Sequence, residues 1–330
     1  MIKVSVIVPV YNAEEYIERS LLSLINQTLD DIEIIIIDDG STDNSLSMIE
    51  NTIKKNPKVN KKINLVSRNN KGVAATRSEG VFIAKGEYII HLDSDDWADY
   101  DWLRIMYETA CSNNSDIVIC DYTEVYNNKQ LHKTQECYSS NIKNIDSLLR
   151  GKISNANWNK LIKKDFLVKN NINFIENINM GEDFLFSLKA LYYTNKVTYI
   201  SRPLYYYNKM NQSSLTQNYS YKALLDITEV VKITECFLKE KNQLYDVEKS
   251  LNLFKLNIRL LYIISASNDP RYIKKAISLY PETNYLIKTK DSPKILNIIF
   301  SIHELKLGYI NNLVCKLYLF YRELKSKVNR

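Results

Sequence analysis

Glycine and proline are scarce in this sequence, with 7 and 6 in 330 residues. That scarcity excludes collagen-like and Gly/Pro-rich low-complexity architectures. Histidine is scarcer still: His91, His132 and His303 stand far apart. The five cysteines, at 111, 120, 137, 236 and 315, form no CxxC pair. Neither a Cys/His zinc cluster nor a disulfide scaffold is therefore expected, and the thiol usage fits a reducing compartment. No apolar run reaches the roughly 18 residues needed to span a bilayer. The opening MIKVSVIVPV has no basic region leading into a signal-peptide core. The expectation is a cytoplasmic chain with no transmembrane segment. Nucleotide-binding signatures are missing too: no GxGxxG follows the first apolar run and no GxxxxGK[ST] occurs. Hydride transfer and P-loop hydrolysis lose their main support.

What is present is enough for a substantial core. Apolar residues make up 45% and charged residues 25%, and this length predicts about two domains. Lys plus Arg total 44 against 38 acids, a net charge of +6. The excess is local. Residues 51–72 hold Lys54, Lys55, Lys58, Lys61, Lys62, Arg68 and Lys71 and no acid. The last thirty residues are the second basic stretch. Neither has the aromatic and glycine spacing of a single-strand platform, so nucleic acid is not an expected partner.

The first half alternates between two periodicities. Strands are expected over Lys3–Val10, Glu33–Ile37, Ile63–Val66, Glu87–Leu92 and Asp116–Cys120. Helices are expected from an Asn12 cap through Ile25, from Thr42 into the lysines, over Gly72–Ala84 and over Asp101–Cys111. Short links between them argue an α/β fold, a single mostly parallel sheet flanked by helices. Tyr122–Tyr126, Lys129–Glu136 and Val197–Ile200 are weaker strands, the last ended by turn chemistry at Ser201-Arg202-Pro203. Beyond 218 the pattern is helical, broken at Asp269-Pro270 and Tyr280-Pro281. The expected domains are 1–217, with a nucleotide half over 1–97 and an acceptor half over 98–217, and a helical region over 218–330.

In open α/β sheets ligands bind beyond the carboxyl ends of the strands. Acids cluster there. In HLDSDDW (91–97), Asp93 and Asp95 flank Ser94, and on a turn leaving a strand both can reach one hard cation. Mg²⁺ or Mn²⁺ is usually held by one or two carboxylates plus phosphate oxygens, which implies a diphosphate substrate. The plainer alternative is an acidic surface turn with Asp96 capping the next helix. Ser94 has no evident base partner that would make it a hydrolase nucleophile. Asp38-Asp39-Gly40 sits where a strand turns into a helix; Asp39 can accept a hydrogen bond from a ring N–H, or serve only as turn chemistry. Glu182-Asp183 begins a helix, where the helix dipole favours acids. His91 has no partner in metal-ligand spacing and is expected to be packed.

Together, VSVIVPVYNAEEYIERSLLSLINQT (4–28), IIIIDDGSTDNS (34–45), NNKGVAATRSEG (69–80), YIIHLDSDDW (88–97) and MGEDFLFSLKAL (180–191) resemble the family 2 glycosyltransferases. These are inverting enzymes of the GT-A fold that build bacterial capsules, lipopolysaccharide and teichoic-acid decorations. The resemblance covers about residues 1–215. It implies that Pro9 and Tyr11 line the nucleotide pocket and that Asp39 takes a uracil imide hydrogen. Arg77 would approach the base or diphosphate, a task suited to its planar donors. Ser94 would fall among the nucleotide-binding positions. Asp93 and Asp95 would form the metal-binding DxD element, with Asp95 the direct ligand of Mn²⁺ or Mg²⁺. Asp183 would be the general base beside Glu182, and the donor a UDP-sugar.

Two further segments carry looser resemblance. In NANWNKLIKKDF (155–166), Trp158 offers either a sugar-stacking face or a core anchor, and Lys160 a charge near the acceptor or diphosphate. In RPLYYYNKMNQSSLT (202–216), Asn211, Gln212, Ser213 and Ser214 would sit on a mobile loop over the diphosphate, or on an ordinary surface loop. The 24 tyrosines suit carbohydrate pockets and interfaces. Residues 309–330 place Ile310, Leu313, Val314, Leu317, Leu319 and Phe320 near Lys316, Arg322 and Lys325. That pattern fits a helix resting on an anionic membrane, docked on its own domain, or packed against another copy in a homo-oligomer.

The expected function is transfer of a sugar from a nucleotide-sugar to a saccharide or lipid-linked saccharide acceptor at the inner face of the membrane. A sugar nucleotidyltransferase would carry a Gly-rich basic loop where this chain has PVYNAEEY. A non-catalytic glycan-binding scaffold would be signalled by loss of Asp93, Asp95 or Asp183, and all three are present.

Overall fold

The computed structural model describes residues 1–57, 63–211, 219–265, 271–305, 311 and 313–318. Lys58, Lys61, Lys62, Ser213, Ser214, the Asp269-Pro270 break and most of 309–330 lie outside the described residues. The chain divides into two compact units, Met1–Gln212 and Ser213–Arg330.

The first unit opens with β1 (Val4–Val10), α1 (Ile17–Ile25), β2 (Ile32–Asp38), α2 (Ser45–Lys55), β3 (Ile63–Ser67), α3 (Val73–Ile83) and β4 (Tyr88–His91). It continues through β5 (Trp97–Ala98), α4 (Trp102–Asn113), β6 (Ile117–Val125), β7 (Gln130–Lys133), α5 (Asn141–Leu149) and β8 (Lys160–Lys163). It ends with α6 (Lys164–Lys169), α7 (Glu182–Tyr192) and β9 (Val197–Asn208). The sheet order is β3-β2-β1-β4-β8-β6-β9-β5, with β7 paired to β6. The first four strands are parallel; β8 runs antiparallel to β4 and β6, and β5 antiparallel to β9. The sheet is thus parallel across its N-terminal half and mixed beyond it, with helices packed alongside.

The local sequence explains the parallel half. β1 and β2 are near-continuous β-branched runs, buried almost throughout, as strands covered on both faces must be. α3 lies so close to β1 that a methyl group at Gly80 would collide with Ile7 Cγ2. The expected Asn12 cap is not formed. Asn12 adopts a left-handed backbone, and its Oδ1 accepts from the Thr42 N–H at 2.8 Å, tying the end of β1 to the loop after β2.

The turn expected at Ser201-Arg202-Pro203 is also not one. β9 passes straight through it beside β6, with Cys120 opposite Ile200, Asp121 opposite Pro203 and Tyr122 opposite Tyr205. The surplus residues on β9 are absorbed as bulges, where a proline without an N–H costs no ladder bond. A further strand, β8, comes from the NKLIKK stretch, and the two-residue β5 pairs Trp97 with Tyr206.

The second unit, where described, is helical: α8 (Tyr221–Glu240), α9 (Leu244–Ile264), α10 (Arg271–Ser278), a 3-10 turn at Pro281–Leu286 and α11 (Lys294–Glu304). Its core includes a buried Arg259, whose guanidinium donates to the carbonyls of Ala276 and Ile277 near the end of α10. Among the described residues no helix is long and apolar enough to cross a membrane.

Candidate active site

The acidic segment leaves β4 as a tightly pinned turn. Asp96 is its anchor rather than a helix cap. Fully buried, it accepts from the Asn208 N–H at 2.7 Å and from the Tyr205 hydroxyl at 2.8 Å. The Tyr205 oxygen in turn accepts from the Asp93 N–H at 3.1 Å. Burial, with Asp95 and Asp93 close by, holds the Asp96 carboxyl well above the usual range. The Ser20 hydroxyl donates to the Asp96 carbonyl from α1. From the same helix the Arg19 guanidinium lies 3.6 Å over the Trp97 ring and donates to the Asp95 carbonyl at 3.0 Å.

Asp93 and Asp95 themselves are half-buried, as is Ser94 between them. Asp95 Oδ2 accepts from the Asn211 amide at 2.7 Å, so the one described residue of the expected mobile-loop set touches the acidic turn. Burial first, and the negative charge of Asp93 second, push the Asp95 carboxyl upward. Two carboxylates that repel each other in this way fit a divalent cation. Among the described residues no group of three or more His, Cys, Asp or Glu is arranged to hold a metal alone, so substrate oxygens would have to complete the shell.

Arg77, expected beside the base or diphosphate, is turned inward. It is 8% exposed, and its terminal nitrogens donate to Asp93 Oδ1 at 2.7 Å and to Glu182 Oε1. Burial pulls the guanidinium pKa down, but Asp93, Glu182 and Asp183 outweigh it and the net shift is upward, so the charge is permanent. Glu182, expected near the acceptor, is buried against Arg77. Burial pushes its carboxyl up, opposed by Arg77.

Asp183 follows at the start of α7, after Gly181 in a left-handed conformation. Its Oδ1 accepts from the Phe184 N–H at 2.7 Å, and its Oδ2 from the Asn155 amide at 2.9 Å. Burial raises its pKa while Arg77 lowers it, and burial prevails. A raised carboxyl suits a base working near neutral pH better than the lowered one a helix N-terminus alone would give.

At the other strand end, Asp39 is 3% exposed. It accepts from the Lys71 N–H at 2.8 Å, from the Gly72 N–H at 2.9 Å and from Arg68. A carboxylate offers about four acceptor directions, so one remains. Arg68 also donates to Glu79 at 2.7 Å and to the Thr76 hydroxyl at 3.0 Å. Gly72 is required here: its φ is 89°, and a Cβ would lie 2.5 Å from the Asn179 side chain. Pro9 lies in β1 opposite Ile37, and Tyr11, just past the strand, is 52% exposed.

Trp158 is a core residue. It is 4% exposed and stacks on Tyr205 at 4.3 Å with its edge toward Tyr122, so a sugar-stacking face is not presented. Lys160 is 1% exposed, and its ammonium donates to the Ser154 and Ala156 carbonyls and to Asn159 Oδ1. His91 is packed as expected, against Phe174 and Phe186. The sequence reading did not single out Arg68, Asn155, Arg19 or Tyr205. Arg68 carried one usable signal, a cation at the exit of β3. Asn155 and Tyr205 carried none.

Comparison with known proteins places this geometry. Residues 5–191 match the family model described as glycosyl transferase family 2. The protein EpsH of Bacillus subtilis (strain 168) is 34% identical over 263 residues, covering 76% of this chain and 73% of the relative. The cholesterol galactosyltransferase of Borreliella burgdorferi is 29% identical over 314 residues, covering 88% and 85%. Among solved structures, S. aureus TarS 1–349 in complex with UDP-GlcNAc superposes with a TM-score of 0.64 at 23% identity, covering 96% of this chain and 91% of that one. That likeness shows a shared GT-A-like fold. The chain is a glycosyltransferase, and it belongs to glycosyl transferase family 2.

Proposed function

We propose that the protein transfers a sugar, with inversion, from a UDP-sugar to a hydroxyl of a bacterial surface polysaccharide or lipid-linked oligosaccharide. The observation that carries this reading is the Arg77 bridge, which sets the acidic turn through Asp93 and the α7 N-terminus through Glu182 on one frame. Asp183, next in sequence, is the base. It takes the proton of the acceptor hydroxyl as that oxygen bonds to the anomeric carbon and the bond to the diphosphate breaks. A single displacement inverts the centre and needs no protein nucleophile.

Asp39 is the acceptor for a uracil imide, using the direction left open beside Lys71, Gly72 and Arg68. Tyr11, exposed beyond β1, is the surface offered to the base, with Pro9 behind it. Asp95 and Asp93 would hold Mg²⁺ or Mn²⁺ together with diphosphate oxygens. Such an ion, when bound, neutralises the charge on the departing nucleoside diphosphate. The UDP-sugar in the TarS complex supports this choice of donor.

The test is Asp183→Asn, assayed for UDP release and for UDP binding. Loss of about 10²-fold or more in turnover with UDP affinity retained is expected. Turnover equal to wild type would remove Asp183 as the base.

A further inference from the structure

Lys160 and Asn155 are the least explained polar residues near the site. Burying an ammonium is costly unless every proton finds an acceptor. Lys160 meets that condition, among the described residues, without a directly bound carboxylate: it donates to the Ser154 carbonyl at 2.5 Å, the Ala156 carbonyl at 2.6 Å and Asn159 Oδ1 at 3.0 Å. The first two acceptors flank Asn155 in the chain. The carbonyl of Asn155 itself accepts from the Ser187 hydroxyl at 2.9 Å, one turn along α7 from Asp183. Asn159 is fixed in turn, donating to the Cys120 carbonyl on β6 at 3.2 Å. Residue 155 is therefore gripped before, at and after its own peptide. What this grip holds in place is one side-chain amide, which donates to Asp183 Oδ2 at 2.9 Å.

We propose that Asn155 is a positioning residue for Asp183, and that Lys160 and Ser187 form the clamp that aims it. The inference rests on the reading of Asp183 as the base. The other Asp183 oxygen is held by the Phe184 N–H, so the Asn155 amide fixes the carboxylate plane and leaves its remaining lone pairs for the incoming hydroxyl. The amide and the Lys160 charge both favour the ionised, proton-accepting form. The Coulomb coupling is reciprocal: Asp183 raises the Lys160 pKa against the larger effect of burial. Lys160 acts on Asp183 in two ways, through the loop it holds and through its charge, rather than on the acceptor or diphosphate.

The experiment has two readouts. Carbon-13 titration of Asp-labelled protein follows Asp183 directly, its signal identified by its loss in Asp183→Asn. Hydrolysis of UDP-glucose, UDP-galactose or UDP-GlcNAc, with water as acceptor, follows turnover, and calorimetry with UDP follows donor binding. Asn155→Ala changes an exposed side chain. It is expected to raise the Asp183 midpoint by about one pH unit and to lower kcat about tenfold. The acid limb of the pH–rate profile should move upward and UDP affinity should stay unchanged. Ser187→Ala and Lys160→Met should move the same quantities in the same direction; if Lys160→Met does not fold, Ser187→Ala probes the clamp from its other side. An Asp183 midpoint unmoved in folded Asn155→Ala would overturn the proposal. So would wild-type turnover in Asn155→Ala where Asp183→Asn is inactive, and that pattern would leave the base standing. Wild-type turnover in Asp183→Asn would instead defeat the base, whatever Asn155 does.

Discussion

Arg77 pairs with Glu182 from a position 105 residues away in sequence, and the same guanidinium holds Asp93. One buried cation therefore decides the distance between the strand end that carries the acidic turn and the helix that carries Asp183. Removing it strands Glu182 without its partner. Arg77→Met is expected to cost about 3–5 kcal/mol of stability, measured by urea unfolding. Arg77→Lys should recover only part of the loss, because a single ammonium cannot span both carboxylates. A cost below about 1 kcal/mol for the methionine variant, in the range of a surface ion pair, would refute the bridging role.

Asp95 and Asp93 should make nucleotide binding depend on a divalent cation. Calorimetry with UDP in Mn²⁺ and in EDTA is expected to show tight binding only with the ion. Asp95→Ala should abolish that difference. An Asp95→Ala protein that still gains affinity from Mn²⁺ would remove Asp95 from the ligand set.

Lys160 predicts an unusual pH dependence of stability. Burial lowers its pKa to about 8, below the unfolded lysine value. A base with a depressed folded pKa contributes stability that is fully present above its unfolded pKa and is lost as pH falls through about 8. The wild type should therefore gain stability relative to Lys160→Met between pH 8 and pH 10, by an amount on the order of 3 kcal/mol at most. Parallel denaturation curves for the two proteins at both pH values would contradict the burial cost.

Gly80→Ala tests the contact between α3 and β1. The added methyl meets Ile7 Cγ2 in a fully buried place, and overpacking of this kind costs about 1–3 kcal/mol. A thermal midpoint equal to wild type would mean that the helix can lift from the sheet.

Where the candidate acids lie in the fold was legible because their setting is local. Asp93, Asp95 and Asp183 sit at a strand exit and a helix start, places that hydrophobic periodicity locates by itself. The cations were not legible in the same way. Arg77 finds its partners 16 and 105 residues away, and Lys160 is surrounded by backbone carbonyls, which no residue pattern announces. Trp158 suggested a sugar platform because tryptophan serves both core and pocket; its stacking on Tyr205 is a tertiary fact. The passage of β9 through Ser201-Arg202-Pro203 was hidden for the opposite reason. The local turn signal is real, but pairing with β6 on both sides of it prevails and folds the surplus into bulges.

Those bulges make the length of the 201–204 segment more consequential than its composition. Side chains alternate along a strand, so deleting a single residue there would carry the Tyr205 ring to the opposite face of the sheet. Asp96 would lose its hydroxyl donor and the Asp93 N–H its acceptor, although both lie more than a hundred positions earlier. The segment resembles a surface turn, where insertions and deletions are ordinarily absorbed. Here it works as a spacer, and substitutions at Ser201 or Arg202 should be tolerated where a change of one residue in length should not.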